Sequence, residues 1–272
     1  MKRITVLALA IAMICLPSCK NNKKTTTDTT AAELASKEQI AEATLSVDVQ
    51  NLMESAKKIK AAPFVSASKD GRINLTAKEK MVKPDYLLNP AAASKLVTLS
   101  QKYRYTSMLA TDLVIANLYE MNTNDIREAI AKLLVDINDN GFTDFANTPW
   151  EDLEGASDAM KFLVEEEYEA GRETYYWEAV AASLVEQIYI VTRNIDKFMP
   201  MFTDEAAADV TYNFVCVHDG LTSLVQQNEE MASLNEALAP LYVINAISTQ
   251  QLKDQLTSLK SDIEKARLAI LK

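Results

Sequence analysis

Histidine is nearly missing from this chain: His218 is the only one. That excludes paired-histidine zinc sites, the H-E-x-x-H pattern of zinc proteases and any di-metal centre built on two Glu-x-x-His pairs. A histidine-based triad would have to use His218 itself. Val217 and Asp219 beside it place it at the edge of an apolar helix face, where a structural role is expected. Cysteine is almost as scarce, with Cys15, Cys19 and Cys216. Only Cys216 lies beyond the first nineteen residues, so no disulfide can form within the rest of the chain. Flanked by Val215 and Val217, it reads as a small buried hydrophobe. It stands two positions from His218 and so faces another side of a helix, which argues against a histidine-activated thiol. Five glycines and seven prolines are too few for an all-β domain with many tight turns, and no glycine-rich phosphate loop is present. Basic residues are outnumbered, 28 to 38, for a net charge of -10. An acidic chain repels phosphates, so no nucleic-acid partner is expected.

What is present begins at the N-terminus. Lys2 and Arg3 precede an apolar run from Thr5 to Cys15. The run falls short of the roughly 20 residues that span a bilayer and fits the apolar core of a signal peptide. Leu16-Pro17-Ser18-Cys19 follows. This segment resembles the lipobox of bacterial lipoproteins, with Pro17 as its one departure from the preferred pattern. The resemblance implies cleavage before Cys19 and acylation of that cysteine, with multiple chains giving stable membrane anchoring. Cleavage would remove Lys2 and Arg3 and no acid, taking the charge from -10 to -12. Lys20 to Thr30 is polar throughout and reads as a flexible tether. Some Bacteroidota lipoproteins carry an acidic stretch after the cysteine that resembles a surface-export signal; Asn21, Asn22, Lys23 and Lys24 stand there instead, so the location that the resemblance implies is an outer membrane, facing the periplasm. The division expected is a signal peptide over 1–18, the lipidated cysteine and tether over 19–44, and a helical domain over 45–272.

That domain shows helical spacing almost throughout. A first helix is expected from about Val47 to Lys60, then a connection over Ala61–Lys83 with a short extended piece near Phe64–Ser66. Asn89-Pro90 is read as the start of a long helix carrying Leu96, Leu99, Tyr103, Ala110, Leu113 and Ala116. Small residues along it, Ser107, Ala110 and Thr111, would admit a close neighbour. Thr123-Asn124-Asp125 restarts a helix, and Asn140-Gly141 is read as its end. Further starts fall at Thr148-Pro149, Ser157 and Thr203, with a hinge near Gly171. Trp177 to Ile195 makes a strong amphipathic helix ending before Pro200. Capping boxes are read at Ser233/Glu236 and Ser248/Gln251. The seam Leu252, Leu256, Leu259, Ile263, Ala266, Ile270 is expected to pack within its own bundle. The fold class is all-α: an antiparallel bundle of about seven to nine helices in one domain. Two stretches, T-D-L-V-I-A-N-L-Y-E-M-N within Tyr105–Gly141 and Y-Y-W-E-A-V-A-A-S-L-V-E-Q-I-Y-I within Asp158–Asn194, resemble a group of all-helical lipoproteins from Bacteroidota. That resemblance implies fold and location only.

Candidate chemistry is thin. Asp136, Asn138, Asn140 and Asp144 fall at positions one, three, five and nine of a calcium loop, with Gly141 at six. Asn147 stands at the twelfth position, where a bidentate acid is wanted, and Thr143 at the eighth. A helix end with polar turn residues is the plainer reading, so no metal and no cofactor are assigned. Glu165-Glu166-Glu167 with Glu169 and Glu173 reads as a solvated acidic face. Tyr103, Tyr105, Tyr175, Tyr176 and Trp177 would either pack the core or line a small-molecule pocket. A hydrolase using two carboxylates alone needs no histidine and stays open as a third class. The reading adopted is a membrane-anchored, non-enzymatic envelope module binding an unidentified protein or glycan. The alternative is a small-molecule or glycan-binding lipoprotein of a transport system.

Overall fold

In the computed structural model, residues 49–59, 73, 75–147, 153–225 and 229–272 are described. They form helices and 3-10 turns, with no strand among the described residues. The expected signal peptide, Cys19 and tether lie outside them, as do the extended piece near Phe64–Ser66 and the start at Thr148-Pro149. Helix α1 covers 49–56. Helix α2 (Ala77–Lys80) and a 3-10 turn (Pro90–Lys95) lead into α3 (Leu99–Leu118), α4 (Asn124–Ile137) and α5 (Asn140–Asn147). Then come α6 (Leu153–Glu169), α7 (Glu173–Arg193), α8 (Ile195–Phe198) and α9 (Asp204–Val225). The chain closes with α10 (Glu229–Leu238), α11 (Thr249–Ser258) and α12 (Lys260–Ile270).

Helix α7 is the centre of the fold. Tyr176, Trp177, Ala182, Leu184, Val185, Ile188, Ile190 and Val191 bury it on nearly every side. A helix apolar all round belongs in the interior. Its broadest partner is α3, and α12, α9 and α6 cover other faces. Tyr103 stacks on Tyr175 with centroids 4.9 Å apart, and Thr111 Oγ1 lies 3.1 Å from Ser183 Oγ. The matched positions rise together, so α3 and α7 run parallel. Small side chains on both, including Ala110, Thr111, Ala182 and Ser183, permit this approach. Around that pair, neighbours alternate in direction. Arg267 meets Glu186 while Glu264 meets Arg193, which makes α12 antiparallel to α7. Thr222 meets Asn235 while His218 meets Tyr242, which makes α9 antiparallel to the α10 end of the chain.

Several boundaries differ from the sequence reading. Asn89 caps only the 3-10 turn, through its Oδ1 to the Ala91 N–H. Helix α3 begins at a separate capping box, Thr98 with Gln101, so Leu96 precedes it. Helix α4 stops at Asn138, which takes the left-handed conformation (φ 54°), and Asn140-Gly141 open α5 rather than end α4. Asn tolerates that conformation at a helix end better than most residues. Ser233 and Glu236 lie inside α10, and Pro240 falls in the 3-10 turn Ala239–Leu241. The last helix breaks at Leu259, yet Leu252, Leu256, Ile263, Ala266 and Ile270 all stay buried in the bundle. Gly171, with φ 66°, reverses the chain between α6 and α7 as the hinge reading anticipated. Thr203 Oγ1 accepts from the Ala206 N–H at the start of α9.

Candidate functional site

The chemistry in the described residues is concentrated in two buried carboxyl pairs. The first joins Asp112 of α3 to Glu186 of α7, both fully buried. Arg267 of α12 grips Glu186 with both arms, Nε to Oε2 at 2.6 Å and Nη2 to Oε1 at 2.8 Å. The same guanidinium sits 4.1 Å from the Tyr189 ring centroid and donates to the Tyr86 carbonyl. Asp112 Oδ2 accepts from the Leu88 N–H at 2.7 Å. One cation serves two carboxyls here. Burial, reinforced by Glu186, holds the Asp112 carboxyl well above the usual carboxylate range. That shift favours the protonated form of Asp112, where two anions would be too costly.

The second pair joins Asp139, between α4 and α5, to Glu167 in the last turn of α6. Asp139 Oδ1 accepts from the Phe142 N–H at 3.1 Å, capping α5, while Tyr103 Oη of α3 donates to Oδ2. Arg172 Nε lies 3.1 Å from Asp139 Oδ2 and 3.2 Å from Glu167 Oε2, and its Nη2 donates to Glu167 Oε1 at 3.2 Å. Both carboxyl side chains are 1% exposed, against 36% for Arg172. Burial pushes Glu167 up to about 7, against the pull of Arg172, and adjacent Asp139 adds to the rise. Burial also pushes Asp139 upward, but hydrogen bonds from Glu167, Tyr103 and the Phe142 N–H outweigh it and leave that carboxyl below its ordinary value.

A raised acid beside a lowered one is a common catalytic arrangement. The pair's position differs from that of paired glycosidase carboxyls. Glycosidase carboxyls stand roughly 5–9.5 Å apart, with substrate or water between them. Asp139 and Glu167 instead hydrogen-bond each other and share one arginine nitrogen, with both side chains closed off from solvent. The pair fastens α3, α5, α6 and the start of α7 together.

Glu167 is the main surprise against the sequence. The acidic run was expected to be solvated, and Glu165 is, paired with Lys57 at 2.8 Å. Glu167 turns inward. The available signal was its spacing, four residues after Leu163 and three after Val164, both buried.

The four oxygen donors of the calcium-loop pattern do not form such a loop. Asp136 lies in α4 and pairs with Lys102 at 2.9 Å. Asn138 is the left-handed cap, and Asn140 and Asp144 are both inside α5. Two residues separate the helices where an EF-hand needs twelve, and Gly141 is a buried helical residue beside Glu166. Among the described residues, no group of three or more histidine, cysteine or acidic side chains is placed to hold a metal ion.

The five aromatics pack as core rather than line a pocket. Tyr103, Tyr105, Tyr176 and Trp177 are buried, and Tyr175 stacks on Tyr103. Trp177 Nε1 donates to Tyr168 Oη at 2.9 Å, and Tyr105 Oη to the Asn89 carbonyl at 2.8 Å. The depressions described lie elsewhere and are open. One is bounded by Asp196, Met199, Asp204, Thr249 and Lys253, the other by Ala77, Lys80, Met81, Tyr119 and Glu120. Cys216 is buried as expected. His218 is half exposed, its ring edge-on to Tyr242 and its Nδ1 3.3 Å from Asp219 Oδ1. No helix among the described residues is long and apolar enough to cross a membrane.

No protein-family model, curated protein or solved structure matches the chain.

Proposed function

We propose that this chain is a lipid-anchored protein of the bacterial cell envelope, a non-enzymatic helical module that binds a protein or glycan partner. The observation that carries the reading is the N-terminal order of Lys2-Arg3, the Thr5–Cys15 apolar run and Leu16-Pro17-Ser18-Cys19. In line with that reading, one carboxyl of each buried pair is gripped by an arginine of the chain itself, Glu167 by Arg172 and Glu186 by Arg267. Contact positions are available on the surface, where Val97, Val243, Ile247 and Leu268 are 83%, 66%, 71% and 60% exposed. Isolated exposed apolar residues are ordinary, so the partner's footprint has to be mapped rather than read. A photo-crosslinking residue at each of these four positions, in cells, is expected to give a discrete adduct at one or more of them. Absence of any adduct, together with turnover of a substrate by the purified protein, contradicts the proposal.

A further inference from the structure

The Asp139–Glu167 cluster stands at a joint. Two left-handed residues flank it, Asn138 and Gly171. Helix α6 leans mainly on α5 and on α7. The cluster, together with the Trp177–Tyr168 hydrogen bond, ties the C-terminal end of α6 to its neighbours. Facing Glu167 are Tyr103 from α3, Asp139 from the α4–α5 junction and Arg172 from the α6–α7 turn. Of the charges next to these, Lys102 pairs with Asp136, Glu166 lies over Gly141, and Glu173 opens α7. One guanidinium thus serves two carboxyls, and Arg172 itself is partly open to solvent at 36% exposed.

We propose that this corner is a proton-operated latch: Glu167 and Asp139 share one proton that holds α6 closed against α3 and α5, and loss of that proton frees the end of α6. With the proton in place, Glu167 donates to the Asp139 carboxylate, and Arg172 balances the single negative charge. Without it, two anions whose side chains are only 1% exposed face each other, and the site relaxes by opening toward solvent. The direction follows from the sign of the shift. Glu167 is pushed up to about 7 in the closed state from an ordinary value of 4.5. The closed form therefore binds the proton more tightly than the open one, and closure weakens as pH rises from the ordinary glutamate range through 7.

The test is amide hydrogen exchange on the full chain at pH 6 and pH 8, corrected for intrinsic rates and read over α6. Wild-type protection at the end of α6 is expected to fall about tenfold between the two, with α3 and the middle of α7 unchanged. Glu167→Gln keeps a donor to Asp139 without a titrating proton, and its α6 protection is expected to be the same at both pH values. Asp139→Asn leaves Glu167 as the only carboxylate on Arg172 and is expected to move the loss of protection to lower pH. Equal wild-type protection at pH 6 and pH 8 overturns the latch. So does a Glu167→Gln profile that still follows pH, and so does an unmoved transition in Asp139→Asn should Glu167→Gln fail to fold.

Discussion

Arg267 links three parts of the fold through one guanidinium. It neutralises Glu186, stacks on Tyr189 and ties α12 to α7. Replacing it by Ala leaves a buried carboxyl dyad with no cation, and breaking such a buried pair costs about 3–5 kcal/mol. The loss is expected to shrink as pH falls toward the ordinary glutamate value, because Glu186 can then take a proton. Urea denaturation of Arg267→Ala at pH 7 and pH 5 checks both points, and a loss that is small or independent of pH contradicts them. None of this was legible in the sequence. Asp112, Glu186 and Arg267 are far apart along the chain, and nothing in the local pattern distinguishes Arg267 from a surface arginine. Glu167 is a different case. Its register with Leu163 and Val164 pointed inward, but the weight of neighbouring glutamates suggested solvent.

Helices were legible where apolar spacing was strong and less so at their ends. The interior pattern of α4, α7 and α9 shows in the residues they bury. Ends depend on a hydrogen bond that several nearby residues could make. Asn89-Pro90 was read as the start of the long helix, but a reciprocal pair further along the chain makes the start of α3: the Gln101 N–H donates to Thr98 Oγ1 at 3.1 Å while Gln101 Oε1 accepts from the Thr98 N–H at 3.2 Å. Helix α2 was missed for the same reason, since its Thr76/Glu79 capping box sits in a stretch that otherwise reads as connection. Thr98→Ala is expected to cost about 1 kcal/mol, the usual worth of an N-cap. It should appear as a lower urea midpoint with unchanged slope. Asn89→Ala, which removes the cap of a 3-10 turn alone, is expected to cost less, and the reverse order contradicts the assignment of the α3 start.

At the scale of the molecule, composition and periodicity pointed to an all-α fold because scarce glycine and proline leave little material for tight turns. The parallel α3–α7 pair at its centre was not legible. Short turns fix the direction of consecutive helices, whereas α3 and α7 are separated by α4, α5 and α6, and only packing decides how they meet. The functional reading rests on the other end of the chain, where a charge, an apolar run and a small residue converge on Cys19. Growing cells with a labelled fatty acid and purifying the wild-type chain and Cys19→Ser measures that reading most directly. The account predicts label in the wild type and none in the variant. An unlabelled wild type, or label that survives Cys19→Ser, contradicts it.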